Sequence, residues 1–278
     1  MKHKLLIFIV GLMAAMTAMA QEFGAIATSG GITATVQNND VNPWTFPGDG
    51  TATITGSDGS KHYYITMDVD TDVDAWLALD FTITGSYGNG RLYIDVDDVQ
   101  KNRYDDNAYT NGTFNTNTGT SRTAIPAGHH TVKLDYYYYN GYRSDLSCSL
   151  SNLRLFPQGD VATLIDCDDS DLEWSVTTPA DYFPWCVEGE AAHTANVSTS
   201  SKTGMKLSVN ATQPLELSFD YYISSSSSDY LMVTDENGYN ALYQSGWNSN
   251  DSHRYNDGTF RVYIPEGLHT YTISYARS

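Results

Sequence analysis

The segment Ile125-Pro-Ala-Gly-His-His-Thr131 indicates a duplicated fold, because the chain repeats it 139 residues later as Ile264-Pro-Glu-Gly-Leu-His-Thr270. In both copies a proline fixes φ, a glycine permits a positive φ, and a strand-like stretch follows at once. The repeat predicts a tight turn that leads into a core strand. We expect His130 and His269 to serve this turn rather than any chemistry.

Two other landmarks return in the same order as this turn. Leu77-Ala-Leu-Asp-Phe81 matches Leu215-Glu-Leu-Ser-Phe219 at an offset of 138, and Pro43-Trp44 matches Pro184-Trp185 at an offset of 141. Ordered landmarks at nearly constant spacing indicate an internal duplication. The predicted organisation is a signal peptide at 1–20, a first β-sandwich repeat at 21–158 and a second at 159–278.

The N-terminus predicts export. A basic start at residues 2–4 precedes an apolar run at 5–16, and Ala18-Met19-Ala20 has the small-x-small pattern that signal peptidase recognises. The run is too short and too early to span a membrane. We therefore expect a secreted, extracellular or cell-surface protein without membrane insertion.

The charge of the chain narrows the class of partner. The 278 residues have a formal net charge of −18. A field of this sign repels phosphate backbones and anionic lipid heads, which argues against nucleic acid as a partner. Solubility is the simpler explanation of the charge.

The composition and patterning predict an all-β protein. Tyr, Thr, Val and Ile are common, turn residues interrupt them, and no segment after Gln21 shows a 3.6-residue apolar period. Residues 77–83 and 215–221 alternate apolar and polar side chains, as antiparallel strands with one wet face do. The predicted fold is two tandem jelly-roll β-sandwiches after the signal peptide.

The second copy resembles a known type of module. Its Leu215-Glu-Leu-Ser-Phe-Asp-Tyr-Tyr-Ile223 and Ile264-Pro-Glu-Gly-Leu-His-Thr270, followed by Tyr275, resemble the MAM-like and cleaved-adhesin-like jelly-roll modules of secreted bacterial surface proteins. The resemblance covers most of residues 174–275. The first copy departs from it, since Thr82 stands where the modules have an acid. The end of the first copy, Leu150-Ser-Asn-Leu-Arg-Leu-Phe156, is also similar to the galactose-binding-like jelly rolls of carbohydrate-binding modules. These resemblances imply concanavalin-like or galactose-binding-like sandwiches with non-catalytic adhesion or glycan-binding roles, and they name no ligand.

Aromatic side chains are the clearest indication of a ligand. The run Tyr136-Tyr137-Tyr138-Tyr139 sends alternate rings to opposite faces of a sheet, so two of them face outward. Outward rings stack on sugar faces in many glycan-binding modules, although tyrosine is also a common strand residue that needs no ligand. The candidate stacking residues are Tyr137, Tyr139, Tyr142 and Trp247.

A row of aspartates gives a weak candidate for calcium binding. Asp68, Asp70, Asp72 and Asp74 alternate with uncharged residues, as the acids at the start of an EF-hand loop do, but the glycine and glutamate that such a loop needs are missing. In a strand, the four acids share one face. A charged edge that deters sheet aggregation also explains the row, and we favour that explanation.

The three cysteines and the catalytic motifs leave alternatives open. Cys167 and Cys186 are close enough in sequence to form a disulfide, with Cys148 left over, or all three are buried or semi-buried thiols. The sequence has no Gly-x-Ser-x-Gly, no His-Glu-x-x-His and no recurring acid pair, so we expect no enzymatic activity.

The leading functional hypothesis is a secreted non-catalytic binding or adhesion protein that recognises glycans or a cell-surface partner. One alternative is a structural spacer that displays another domain. The other alternative is a carbohydrate-active hydrolase or its accessory module.

The second copy has no counterpart of the first copy's residues 147–156. At an offset of 139 that strand would end near position 295, whereas the sequence stops at Ser278. We therefore expect a C-terminally truncated second sandwich, with an open position in one sheet, in a natural protein that continues further.

Overall fold

The computed structural model describes residues 27–28, 33–38, 44–47, 49–57, 62–85, 90–105, 115–138, 143–167, 172–194, 202–224, 229–245 and 255–276. Most of them lie in β-strands, and Val161–Leu164 forms a 3-10 helix. The all-β prediction is confirmed. The predicted signal peptide lies outside the described residues.

Among the residues that the structure describes, no helix is both long enough and apolar enough to cross a membrane.

An N-terminal sandwich is built from two five-stranded sheets. One sheet has the order β1-β10-β5-β8 with β3 also on β10, and the other has the order β2-β4-β9-β6-β7. Every pairing is antiparallel except that of β1 with β10. The strands are β1 Ala27–Thr28, β2 Thr33–Asn38, β3 Ala52–Ser57, β4 His62–Thr71, β5 Ala75–Gly85, β6 Gly90–Val96, β7 Val99–Asp105, β8 Asn115–Ile125, β9 Gly128–Tyr138 and β10 Arg143–Pro157.

The core of the N-terminal sandwich lies between these two sheets. The alternation predicted at residues 77–83 puts Leu77, Leu79, Phe81 and Ile83 into it, each at most 5% exposed. Residues of β4, β6 and β9 meet them from the other sheet. Burying this much apolar surface is the main force that holds the two sheets together.

A C-terminal sandwich has a second core and fewer strands. Its larger sheet has the order β11-β14-β19-β16-β17, β15 pairs with β18, and β12 pairs with β13. The strands are β11 Glu173–Thr177, β12 Cys186–Glu188, β13 Ala191–His193, β14 Lys202–Ala211, β15 Leu215–Ser224, β16 Tyr230–Asp235, β17 Asn240–Ser245, β18 Tyr255–Ile264 and β19 Gly267–Ala276.

The pairing registers of β5 with β8 and of β15 with β18 align the two sandwiches and correct one offset. Ile125 pairs with Ala75, whereas Ile264 pairs with Leu215, so the repeated turn places Ala75 and Leu215 at equivalent positions. The offset in this strand is therefore 140 rather than the predicted 138. A shift of two residues keeps every side chain on its face, so the alternation alone could not detect it.

A second contact fixes the corrected register. Phe81 lies over Gly119 on the neighbouring strand, and Tyr221 lies over Gly258 in the same way. In both pairs a ring covers the position where any other residue would place a Cβ.

The repeated turn has the predicted geometry. Gly128 and Gly267 have φ values of 130° and 120°, and each begins a core strand. The Nδ1–H of His130 donates to Asp97 at 2.6 Å, and the backbone N–H of Thr131 donates to the same carboxylate at 2.9 Å. Both histidines therefore contribute to the turn, because His269 makes the equivalent hydrogen bond to Glu236 at 2.9 Å.

Gly128→Ala is expected to lower the free energy of unfolding by about 1–3 kcal/mol, because a φ of 130° is strained for any residue with a Cβ. Urea denaturation followed by circular dichroism measures this change. Ala127→Ser, at the exposed neighbouring position, is the control and should have little effect. Equal stability of the two variants would contradict the role assigned to Gly128.

The two sandwiches contact each other through the β12–β13 hairpin. Cys186 packs against the fully buried Trp76 of β5. The carboxylate of Glu188 accepts two hydrogen bonds from Arg122 at 2.7 and 3.0 Å and two from Arg154 at the same distances. This ion pair network ties β8 and β10 to the C-terminal sandwich.

The predicted disulfide between Cys167 and Cys186 is not formed. Cys186 is instead a thiol within the contact between the sandwiches, and burial raises its pKa to about 12. Cys167 lies just after the 3-10 helix and is only half-buried. Cys148 is fully buried in the core, as the alternative hypothesis of buried thiols expected, and burial raises its pKa.

Candidate functional site

The outer surface of the sheet β2-β4-β9-β6-β7 carries the predicted tyrosine. Tyr136 and Tyr138 are each 1% exposed and point into the core, whereas Tyr137 is half-buried on the opposite face. The alternation predicted for the tyrosine run is therefore confirmed as far as Tyr138. Tyr139, Tyr142 and Trp247 lie outside the described residues.

Two rows of side chains cross this outer surface beside Tyr137. Directly paired residues of antiparallel strands share a face, and residues two positions apart along a strand do so as well. One row therefore runs beside the other over β4, β9, β6 and β7. We call these eight residues the N-terminal outer face: His62, Tyr137, Arg91 and Asp105 in the first row, and Tyr64, Asp135, Tyr93 and Arg103 in the second.

An acidic side chain is buried at the centre of the N-terminal outer face. Asp135 is paired with Tyr64 on one side and Tyr93 on the other, and its side chain is only 9% exposed. The Nδ1–H of His62 donates to its Oδ2 at 2.7 Å. Its Oδ1 is buried and accepts no hydrogen bond within the described ranges.

The environment disfavours the charged form of Asp135. Burial raises the pKa of this carboxyl, and the hydrogen bond and charge of His62 offset the increase only in part. A buried acceptor without a donor costs free energy, typically about 1–3 kcal/mol. A ligand that donates a hydrogen bond to this Oδ1 would recover that free energy.

Aromatic and charged side chains surround this carboxylate. The ring of Tyr137 stacks on His62 with a centroid distance of 4.3 Å and an interplanar angle of 23°. Arg103 donates two hydrogen bonds to Asp105 at 2.8 and 2.9 Å, which raises the pKa of the guanidinium and fixes its orientation. The N-terminal outer face thus combines flat apolar rings with a buried acceptor and fixed polar groups.

The row of four aspartates does not converge on a metal site. Asp68 and Asp70 lie on β4, where Asp70 accepts from His129 at 2.8 Å. Asp74 lies beyond the strand and accepts from the backbone N–H of Ala127 at 2.9 Å. Among the residues that the structure describes, no three His, Cys, Asp or Glu side chains lie close enough to hold a metal ion. Asp68, Asp70, Asp72 and Asp74 therefore do not form such a group with other described residues.

A cleft of about 400 Å³ opens near the junction of the sandwiches, lined in part by Val73, Trp185 and Met205. Both of its acids already bind backbone N–H groups, since Asp74 accepts from Ala127 and Asp160 accepts from Ala162 at 2.9 Å. Both acids of the cleft thus have hydrogen-bond partners, whereas the Oδ1 of Asp135 in the N-terminal outer face has none within the described ranges.

Sequence reasoning found Tyr137 but missed Asp135 and His62. Asp135 lies two residues before Tyr137 and so shares its face, a signal that the alternation already contained. His62 could not be found in this way, because its proximity depends on the pairing of β4 with β9.

Comparisons with known proteins give a limited result. No protein-family model matches the chain, and no curated protein matches it. One solved structure similar to this chain is a Paenibacillus sp. cycloisomaltooligosaccharide glucanotransferase complexed with cycloisomaltoheptaose, with 10% sequence identity and a TM-score of 0.25. The match covers 87% of this chain, and the chain spans less than half of that protein, 44%.

Proposed function

We propose that this chain is a secreted, non-catalytic binding protein that recognises glycans through the N-terminal outer face. The observation that carries the proposal is the buried Oδ1 of Asp135, which has no donor among the described residues and lies at the centre of a surface of tyrosines. Sugar rings have apolar C–H faces that stack on aromatic rings and hydroxyls that donate hydrogen bonds. One ligand class therefore meets both requirements of this surface.

In the proposed complex a sugar ring stacks on Tyr137 while a neighbouring hydroxyl donates to Asp135. Because Tyr64 and Tyr93 flank the carboxylate, one of these rings moves on binding to admit the hydroxyl. Rotamer changes of this kind are common at binding surfaces. The stack of Tyr137 on His62 holds the first ring in place without a ligand.

The architecture we propose is two tandem jelly-roll sandwiches of the MAM-like or cleaved-adhesin-like kind. The duplicated turn and the shared sheet order of the two sandwiches support this assignment. In such a protein the scaffold positions a surface for binding, and no catalytic residue is required.

Tyr137→Ala is expected to weaken binding of a glycan identified on a glycan array by about 1–3 kcal/mol, which is the usual cost of removing an aromatic contact from a binding site. Isothermal titration calorimetry with the purified protein measures this change. Tyr263→Ala is the matched control, because Tyr263 is a 65% exposed tyrosine on β18 of the other sandwich. The control should keep the affinity of the unchanged protein.

Unchanged affinity in Tyr137→Ala would contradict the assigned surface. Release of reducing sugar from the bound glycan would instead contradict the non-catalytic part of the proposal. The two results are distinguishable in one titration sample if the products are analysed afterwards.

A further inference from the structure

The C-terminal sandwich has an outer face that corresponds to the N-terminal outer face. Its sheet β11-β14-β19-β16-β17 has the same strand order as β2-β4-β9-β6-β7 of the other sandwich. Counted from the repeated turn, Ser274 of β19 stands where β9 has Asp135, and Ala276 stands where β9 has Tyr137. The two sandwiches therefore share the sheet but present different side chains on its outer face.

A tyrosine from outside the sheet lies on this face. Tyr64 pairs with Asp135 in the N-terminal sandwich, and its counterpart in the other sandwich is Gly204 of β14. The ring of Tyr182, which precedes β12, lies directly over Gly204 and would overlap a Cβ at that position. Both outer faces thus have a tyrosine ring at this position, although different segments of the chain supply it.

A second pair of aromatic rings lies on β16 and β17. The rings of Tyr230 and Tyr243 stack with a centroid distance of 4.4 Å and an interplanar angle of 27°, and Tyr243 is 54% exposed. Cross-strand pairing places Gly204, Met232 and Tyr243 in one row across the sheet. This row spans three strand spacings, which is about 14 Å. A short oligosaccharide is long enough to contact rings at both ends of the row.

The charge of this face differs from that of the whole chain. Lys202 and Lys206 lie on either side of Gly204 on the same face of β14, and the Nζ of Lys202 lies 5.4 Å from the ring centroid of Tyr182. Neither lysine forms an ion pair with a carboxylate of the described residues. In the part of the chain that the structure describes, no outward-facing residue of β14, β19, β16 or β17 is acidic.

This local charge is complementary to an anion, although the chain has a net charge of −18. The acids elsewhere on the chain act weakly on this face, because salt screens exposed charges that are more than about 10 Å apart.

We propose that this face is a second binding site, which takes an oligosaccharide that contains uronic acid. The C-terminal outer face is defined by six residues: Tyr182, Lys202, Lys206, Tyr230, Met232 and Tyr243. The C–H faces of the sugar rings stack on the tyrosines, as apolar sugar faces do on aromatic side chains. The carboxylates accept charge-assisted hydrogen bonds from the two lysine ammonium groups. A uronic acid carries both features on one ring, so one ligand class fits the rings and the charges of this face.

This inference goes beyond glycan binding by the N-terminal outer face. It assigns another site, on the other sandwich, with a ligand class that the buried acceptor of Asp135 does not require. Its test uses substitutions in the C-terminal sandwich alone, so its failure leaves the proposed function unaffected.

Isothermal titration calorimetry of the whole protein tests the site with three probes: tetragalacturonate, tetramannuronate and a hyaluronan tetrasaccharide. The methyl esters of these probes keep the sugar rings without the charge, and tetraglutamate keeps the charge without the rings. We expect at least one probe to bind about tenfold or more tightly than its methyl ester and than tetraglutamate. High salt should weaken this binding, since it screens the contact between lysine and carboxylate.

Two substitutions and two matched controls locate the site. Lys202→Gln and Tyr243→Ala should each weaken binding of that probe about fivefold or more. Arg261→Gln and Tyr263→Ala, which remove an exposed cation and an exposed tyrosine from β18, should keep the affinity of the unchanged protein. Lys202 is exposed, so its substitution keeps the test decisive even if Tyr243→Ala does not fold.

The proposal would be overturned if none of the three probes binds, or if tetraglutamate binds as tightly as the best probe. It would also be overturned if either folded variant, Lys202→Gln or Tyr243→Ala, binds that probe as tightly as its control does.

Discussion

Glu188→Ala is expected to lower the free energy of unfolding by about 2–3 kcal/mol, because it leaves two half-buried guanidinium groups without their shared carboxylate. The side chains of Arg122 and Arg154 are only 16% and 24% exposed, so water replaces the lost hydrogen bonds poorly. The estimate is below the cost typical of fully buried pairs, since Glu188 itself is 27% exposed. Urea denaturation measures the loss.

The matched control is Glu216→Ala, which removes a different glutamate–arginine pair. Glu216 accepts from Arg261 at 2.5 Å, but both side chains are more than half exposed. Exposed pairs contribute little, so this variant should stay within about 0.5 kcal/mol of the unchanged protein. A loss in Glu188→Ala no larger than in this control would contradict the assigned contact between the sandwiches.

The contribution of Glu188 also depends on pH. Burial by itself raises the pKa of this carboxyl, but the hydrogen bonds from Arg122 and then Arg154 lower it on balance. Because the pKa of Glu188 is lower in the folded state than its unfolded value of about 4.3, the ionised side chain stabilises the protein at pH values above that unfolded pKa. The stability difference between the unchanged protein and Glu188→Ala should therefore shrink as the pH falls from about 5 through the folded pKa of this residue.

Asp135→Asn is expected to weaken glycan binding about tenfold or more while it leaves the protein at least as stable at neutral pH. A hydrogen bond to a carboxylate is about twice as strong as one to a neutral amide, so the ligand loses part of its contact. The fold loses little, because burial already disfavours the charge of Asp135 and raises its pKa. A substitution that weakens binding but does not lower stability is typical of a residue that serves function rather than folding.

The sign of the pH dependence separates this prediction from a general loss of structure. Because the pKa of Asp135 is raised, the folded state binds this proton more tightly than the unfolded state does. The ionised carboxylate therefore destabilises the folded state increasingly as the pH rises from the unfolded pKa, about 3.9, to the folded pKa. The stability advantage of Asp135→Asn should therefore appear above that window and vanish at low pH. Thermal denaturation at several pH values measures it, and a variant that is less stable at neutral pH would show that Asp135 serves the fold instead.

The sequence was informative wherever a local pattern decides the structure. Alternation predicted the strands and the buried and exposed sides of Tyr136 to Tyr138, and Pro-x-Gly-x-His predicted the positive φ of Gly128. These features depend on neighbours within a few residues.

Features that depend on how strands meet could not be predicted in the same way. Offsets of 138 and 140 put every side chain of the strand on the same face, so the alternation could not distinguish them. The pairing of Ile264 with Leu215 showed that the offset is 140. One of the two hypotheses for the cysteines paired Cys186 with Cys167, but Cys186 packs on Trp76, 110 residues earlier in the chain. Contacts at such separation depend on the docking of whole sheets, which the spacing of cysteines does not determine.

Glycan recognition by the N-terminal outer face can be tested on a glycan array probed in parallel with the unchanged protein and with Asp135→Asn. We expect that the unchanged protein binds a defined set of glycans and that the variant, equally folded by circular dichroism, loses that set. Binding by the unchanged protein that survives in Asp135→Asn would contradict the role of the N-terminal outer face. An array without any bound glycan would contradict glycan recognition itself.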